Sequence, residues 1–350
     1  MPLLARMVPF PLAVEVRRGA VGDLHGLLAD QRISAQGRVA VAVGPGQGTR
    51  IAQELRPSLA NAELFGVDGG TLDAAQALAA RLRAGSYDAV VGVGGGRTLD
   101  VAKFAAALMG LPMVAVATSL AHDGLASPVA SLEHLGRKGS YGVHIPIAVV
   151  VDVDYVERCP IEQLRSGVGD AVSNLSAVAD WELAAREAGE TVDGLAAALA
   201  RTSAESVLHR ADPLTSEGFI TTLAESLILG GLAMAVAGSS RPCSGACHEI
   251  AHGVDELHPG RRHGDAVAVG ALFASFLRTD AAVDAVDACL RRHGVPRLPS
   301  DLGLTEEQFA AVVARAPATR PERYTILEHL ALDERAIRRR VHDFTAAFGR

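Results

Sequence analysis

The segment Ser244–Asp265, SGACHEIAHGVDELHPGRRHGD, holds four of the chain's twelve histidines. His248 and His252 stand four residues apart. A helix through them projects both rings from one face, one turn from each other. His263 follows in a loop rich in Gly and Arg, just before another apolar run. Two or three converging imidazoles, joined by a carboxylate from elsewhere, make a site for a divalent metal of the zinc or iron type. The HxxxH spacing also arises by chance, and the competing reading is a solvated, His-rich helix end and loop. What else the chain carries decides between them.

A carboxylate is at hand in GVGDAVSNLSAVADW, Gly167–Trp181. Asp170 follows a Gly-rich lead-in and is expected near a helix start, with Asn174 one turn further on the same face. Capping that helix is the alternative use of Asp170. Asp180 lies nearly three turns on, and its neighbours place it on a more exposed face. One acid with two histidines gives a three-ligand site with an open position, the catalytic rather than the structural arrangement. Cys243 and Cys247 sit beside the histidines. No second cysteine pair completes a structural zinc site, so both read as small buried residues.

The run DAVVGVGGGRTLDVAK, Asp88–Lys103, is a strand, a glycine turn and a helix. Gly94, Gly95 and Gly96 let backbone N–H groups approach a pyrophosphate, and the start of the helix favours its negative charge. Asp100 is expected in the first helical turn, where it suits the helix dipole. The strict GxGxxG fingerprint is absent, because Gly92-x-Gly94-x-x ends on Arg97. Phosphate binding is therefore the inference, against a ligand-free βα turn. Asp68, at the end of the strand Glu63–Val67, can face the adenine ribose and favour NAD over NADP; it can equally be a turn acid in VDGG. TSLAHDGLASP, Thr118–Pro128, follows the strand Pro112–Thr118 and packs Thr118, Ser119, His122, Asp123 and Ser127 together. Loops beyond the carboxyl ends of parallel strands are where open α/β sheets bind ligands.

These pieces hang on alternating strands and helices. Strands are expected at Leu12–Val16, Arg38–Val43 (bounded by Gly37 and Gly44), Glu63–Val67, Asp88–Val93, Pro112–Thr118 and His144–Asp152. Helices are expected between the strands, at Val21–Ala29, Thr49–Leu55, Leu72–Ala84 and Arg97–Met109. SLEHLGRKGSYG reads as a hairpin or an irregular loop. Continuous apolar strands alternating with helices indicate a parallel, doubly wound, Rossmann-like sheet. From about Ile161 onward the segments are helical. The division expected is a nucleotide-binding α/β domain over 1–158 and an all-helical metal- and substrate-binding domain over 159–350.

Composition narrows the class. The chain has 350 residues, 49% of them hydrophobic, and a net charge of −7. That charge argues against a general nucleic-acid binder. Four irregularly spaced cysteines imply no disulfide framework. The N-terminal MPLLARMVPFPLAVEV is a poor signal peptide, and the longest apolar runs are broken by Gly or charge, so no membrane insertion is expected. A soluble cytoplasmic protein is expected.

Taken in order, GVGGGRTLDVAK, TSLAHDGLASP, GVGDAVSNLSAVADW and RPCSGACHEIAHGVDEL with RRHGD resemble the glycerol-1-phosphate dehydrogenases. That family belongs to the iron-containing alcohol dehydrogenase and dehydroquinate synthase-like superfamily. The resemblance spans roughly residues 37–270, and the HDG-x-ASP loop is its most specific part. It implies that Asp170, His248 and His263 are metal ligands, usually for zinc. It implies that Asp123, Asp170 and His252 touch the substrate, with Asp123 and His252 in catalytic roles. Gly94, Gly95, Gly96, Arg97, Thr98, Leu99 and Asp100 would cradle the pyrophosphate of NAD or NADP. Thr118, Ser119, Leu120 and Ala121, with Ser127, would line its nicotinamide end. The chain departs from the family pattern at TSLAHDG, where TAPSHDG is usual, and at Asp265, where HGE is usual. The implied activity interconverts dihydroxyacetone phosphate and sn-glycerol 1-phosphate in a homodimer. The alternatives are reduction of another phosphorylated or phosphonate carbonyl compound, and a sugar phosphate cyclase. Arg241 and Arg262 are candidates by position for the substrate's phosphate.

Overall fold

The structure is a computed structural model that describes residues 9–35, 38–55, 59 and 61–349. Gly37 and the first eight residues of the N-terminal run lie outside the described residues. The chain divides into two compact units, Met1–Pro160 and Ile161–Arg350.

In the first unit the elements run β1 (Ala13–Arg17), α1 (Leu24–Asp30), β2 (Val39–Val43), α2 (Gln47–Leu55), β3 (Glu63–Gly66), α3 (Leu72–Leu82), β4 (Ala89–Gly94), α4 (Gly96–Met109), β5 (Met113–Ala117), β6 (Val129–His134), β7 (Arg137–Gly142), β8 (Ala148–Asp152) and α5 (Val153–Val156). Among the described residues six strands form one parallel sheet in the order β1-β8-β5-β4-β2-β3. The four inner strands, VAVAV, AVVGVG, MVAVA and AVVVD, are buried at every position. Unbroken apolar runs of this kind suit a sheet covered on both faces. The edge strands β1 and β3 are partly exposed instead. Thr71 caps α3 by accepting from the Ala74 N–H, which satisfies one orphan donor of the first turn.

Register brings two loops together. Gly94 at the end of β4 pairs with Ala117 at the end of β5, and the Thr118 N–H donates to the Gly94 carbonyl at 3.0 Å. The glycine turn and the Thr118 loop therefore leave the sheet side by side. SLEHLGRKGSYG is a hairpin, β6 against β7 in antiparallel pairing. Its two turn residues, Leu135 and Gly136, both have left-handed backbone angles, φ 51° and 75°, the twist that a two-residue hairpin turn needs.

The second unit is helical: α6 (Ile161–Glu187), α7 (Gly194–Leu208), α8 (Glu217–Ala237), α9 (Ala246–Leu257), α10 (His263–Arg278), α11 (Val283–His293), α12 (Glu306–Arg315), α13 (Ile326–Leu330) and α14 (Glu334–Phe348). Asp193, Ser216, Thr305 and Asp333 cap α7, α8, α12 and α14 through their side-chain oxygens. Contrary to the impression of interrupted apolar runs, α8 is long and apolar enough to cross a membrane by length and composition. Its most apolar stretch is 78% buried inside the protein, as a core helix requires.

Candidate active site

The helical unit assembles the acid and two of the histidines. Asp170 lies in the third turn of α6, His248 in the first turn of α9, and His263 opens α10. Asp170 is thus not near a helix start as the Gly-rich lead-in implied, and an N-cap role is excluded by its interior position. Small residues explain the sequence around it. A Cβ on Gly169 would sit 2.6 Å from the Gly264 carbonyl oxygen, and one on Gly270 would sit 2.6 Å from that of Cys247. Helix α10 can approach α6 and α9 this closely only because these positions lack side chains.

The crossing places Asp170, His248 and His263 so that one ligand atom from each lies within 4.8 Å of the others. His248 Nε2 is 3.8 Å from Asp170 Oδ1, and the His248 and His263 rings are 5.2 Å apart. One carboxylate and two imidazoles form a donor set that fits a divalent ion of the zinc type, with a coordination position left for substrate. Asp170 is 2% exposed, and a buried carboxylate needs a compensating charge. Cys247 Sγ lies 3.3 Å from His248 Nδ1. Burial pushes this thiol up to about 12, so it stays neutral and packs behind the ring. His252, one turn along α9, is 6.2 Å ring to ring from His263. Its Nε2 accepts from Arg320 Nη2 at 3.4 Å. Since a guanidinium only donates, that contact puts the imidazole proton on Nδ1.

Asp180, expected on an exposed face, is fully buried. It accepts from Arg278 Nη1 at 2.6 Å, from the Ala246 N–H at 2.8 Å and from the Ile326 N–H at 3.0 Å. Helix α6 is packed by α7, α8, α9 and α10, so the charged neighbours of Asp180 do not mark a solvated side. Its carboxylate fixes the start of α9, the helix that carries His248 and His252. Arg241 and Arg262 are both engaged elsewhere. Arg241 is forked onto Glu190 at 2.8 and 2.7 Å, and Arg262 pairs with Asp265 at 2.8 Å. Glu249 is pushed up to about 8 by burial and by Glu328, and Thr325 Oγ1 donates to it at 3.0 Å.

In the α/β unit, Gly95 precedes the first turn of α4 and no side chain caps that turn. A Cβ on Gly95 would lie 3.0 Å from Ser119 Oγ, and one on Gly96 would collide with His122 Nε2. The Thr118 loop folds onto the glycine turn, which leaves a cradle of backbone N–H groups that any side chain would fill. Such a cradle fits a pyrophosphate. Arg97 is exposed and Thr98 and Leu99 are buried.

Asp100 departs from the dipole role expected of it. It falls beyond the first turn, its Oδ1 is 2.9 Å from Lys103 Nζ, and its Oδ2 accepts from the Ser131 N–H at 3.2 Å. Lys103, 1% exposed, donates to the carbonyls of Gly124 (2.6 Å) and Val129. This buried pair ties α4 to the loop that carries Asp123. Ser127 Oγ, also buried, donates to the Val129 carbonyl at 3.2 Å. Leu120 is buried, Thr118 nearly so, and Ser119 and Ala121 are half-buried. Asp123 opens a short 3-10 turn capped by His122, whose Nδ1 accepts from the Gly124 N–H at 3.1 Å. Asp68 is exposed just past β3. Sequence reasoning missed Lys103, Arg278 and Arg320. Lys103 had a signal, a lysine three residues after an acid in an otherwise apolar helix; Arg320 had none.

The iron-containing alcohol dehydrogenase family model matches residues 15–160. The glycerol-1-phosphate dehydrogenase [NAD(P)+] of Archaeoglobus fulgidus is 38% identical over 271 residues, covering 75% of this chain and 77% of that protein. The chain belongs to the glycerol-1-phosphate dehydrogenase family. The Hyperthermus butylicus member is 33% identical over 338 residues, covering 95% and 96% of the two chains, so the family likeness includes the C-terminal helices. Among solved structures, a probable glycerol dehydrogenase from Sinorhizobium meliloti has a TM-score of 0.78 at 22% identity, covering 98% of this chain and 99% of that one. Sulfoacetaldehyde reductase from Bifidobacterium kashiwanohense in complex with NAD+ has a TM-score of 0.72 at 17% identity, covering 97% and 99%. These two likenesses establish the fold of this family member.

Proposed function

We propose that the protein is a metal-dependent, NAD(P)H-linked dehydrogenase that interconverts dihydroxyacetone phosphate and sn-glycerol 1-phosphate by hydride transfer. The observation that carries the reading is the convergence of Asp170, His248 and His263 in a chain whose relatives of that name match it nearly end to end. The α/β unit takes the nucleotide, and the helical unit takes metal and substrate. Zinc is the proposed ion, because a carboxylate with two imidazoles is a common catalytic zinc set.

When bound, the ion supplies a Lewis acid for the carbonyl oxygen and the nicotinamide supplies the hydride. The protein's own residues do the rest. Backbone N–H groups at Gly95 and Gly96 hold the pyrophosphate, and the stretch Thr118–Ala121 with Ser127 shapes the nicotinamide end. Asp123 orients the substrate through its hydroxyl. His252 moves the proton that the reduced oxygen needs, an imidazole being suited to transfer near neutral pH. Exposed Asp68 offers a carboxylate to an adenine ribose, which favours NADH. A cytoplasmic homodimer that binds no nucleic acid and inserts in no membrane completes the proposal.

The test is oxidation of NADH and NADPH with dihydroxyacetone phosphate, followed by chiral analysis of the product. Turnover to sn-glycerol 1-phosphate is expected. Metal and NAD(H) binding without turnover would move the substrate to another phosphorylated or phosphonate carbonyl compound. Turnover of a sugar phosphate with no net consumption of nicotinamide would identify a cyclase.

A further inference from the structure

A short chain of hydrogen bonds runs behind the metal ligands, inside the helical unit. It begins at His248. Of the two ring nitrogens, Nε2 faces Asp170, 3.8 Å from Oδ1, and Nδ1 faces Cys247 Sγ at 3.3 Å. The thiol is hydrogen-bonded in turn to the side chain of Ser173. Ser173 lies one turn beyond Asp170 on α6, and its Oγ donates to the Asp170 carbonyl at 2.8 Å. Cys247 and Ser173 are both fully buried. The chain therefore starts on one ligand residue and ends on another, and its two middle members come from α9 and α6.

Counting protons fixes its direction. The single hydroxyl proton of Ser173 goes to the Asp170 carbonyl, which leaves Oγ to accept the thiol proton. With that proton turned toward Ser173, the sulfur offers His248 only lone pairs, so Nδ1 donates. This is the tautomer that a ligand at Nε2 requires. Ligating imidazoles are ordinarily held in it by a carboxylate, a backbone carbonyl or a water; here a neutral sulfur takes that place. Among the described residues the sulfur is not part of the cluster formed by Asp170, His248 and His263, so it partners a ligand and is not one itself.

We infer that Cys247 is a positioning residue of the metal centre, which holds His248 in the Nδ1–H tautomer and, through Ser173, ties it to the backbone of Asp170. This rests on the reading of Asp170, His248 and His263 as metal ligands.

The test compares full-length wild type, Cys247→Ala, Cys247→Ser and His248→Ala. The readout is zinc affinity in competition with a chromophoric chelator, which needs no turnover. Cys247→Ala is expected to weaken zinc binding by about 10-fold or more, the scale of losing the outer partner of a ligating histidine. Cys247→Ser is expected to recover most of that loss, because a hydroxyl oxygen also accepts from Nδ1–H. Wild-type affinity in Cys247→Ala, while His248→Ala binds no metal, would overturn the inference and leave the metal site standing. Serine no tighter than alanine would overturn it too, since the side chain would then only fill space. Metal uptake by His248→Ala equal to that of wild type, or none by wild type, would defeat the reading of the site and the inference with it. Replacement of zinc by cobalt(II) gives an independent signature. The wild-type spectrum should lack an intense near-ultraviolet sulfur-to-cobalt charge-transfer band; such a band, lost in Cys247→Ala, would make Cys247 a ligand and overturn the positioning role.

Discussion

The nucleotide cradle and the metal centre are built by opposite means. Gly94, Gly95 and Gly96 take their shape from neighbours in the chain: a buried strand ends and a helix begins, and backbone N–H groups are the donors proposed for the nucleotide. Asp170, His248 and His263 come from three helices and converge, and their side-chain atoms are the ligands proposed for the metal. The cradle fails when an atom is added, because the Thr118 loop already lies against it. The metal centre fails when an atom is removed, because three ligands leave none to spare. Each region also has a buried ion pair that fixes its geometry. Lys103 with Asp100 ties the Asp123 loop to α4, and Arg278 with Asp180 holds the start of α9.

The largest effect separates the two regions outright. His248→Ala is expected to remove metal and to lower turnover by about 1,000-fold or more, while NADH still binds to the cradle. Retention of both metal and activity in this variant would dissolve the trio. Asp180→Ala tests the support under the metal centre. It leaves buried Arg278 with Asp280 alone and strips the Ala246 and Ile326 N–H groups of their acceptor, at a cost of about 3–5 kcal/mol. For a chain of this size the thermal midpoint should drop by roughly 10 °C, and metal affinity should fall with it. A midpoint within a degree or two of wild type would show that Asp180 is not what pins α9.

Smaller effects belong to the cradle. Gly96→Ala must push the His122 ring aside, and NADH affinity measured by fluorescence titration is expected to weaken about 10-fold, the scale of one or two lost charge-assisted contacts. Bound metal should be unchanged; joint loss of metal and nucleotide would mean a general defect in folding. Smallest of all is Asp68→Ala at the exposed edge of the sheet. It should shift the NADH-to-NADPH preference by about 3- to 10-fold, since one hydrogen bond to a ribose is worth about 1 kcal/mol. No shift would leave Asp68 as a turn acid.

The same contrast explains what the sequence makes legible. The inner strands and the glycine turn are visible because their determinants are contiguous: unbroken apolar runs, then three glycines, then a helix. The histidine spacing of α9 is visible for the same reason. The position of Asp170 is not. Gly167 and Gly169 look like a loop before a helix, whereas both lie inside α6, and Gly169 is the small residue that lets α10 cross beside the acid. Asp180 misleads in the same way, since its charged neighbours say nothing of the helices packed over it. Asp100 sits close enough to a helix start to suggest a dipole role, yet its partners, Lys103 and the Ser131 N–H, are set by the fold of the hairpin around them. Arg320 is the extreme case. Nothing near it in sequence is remarkable in type or spacing, and only the folded helical unit brings its guanidinium to His252.

The most direct test of the metal centre is stepwise zinc titration of chelator-stripped, full-length protein in the presence of NADH and dihydroxyacetone phosphate. Bound metal and turnover should rise together and level off at about one zinc per chain, as a single three-ligand catalytic site requires. Full turnover in the stripped protein, or metal uptake that proceeds unchanged in His248→Ala, would contradict a catalytic centre formed by Asp170, His248 and His263.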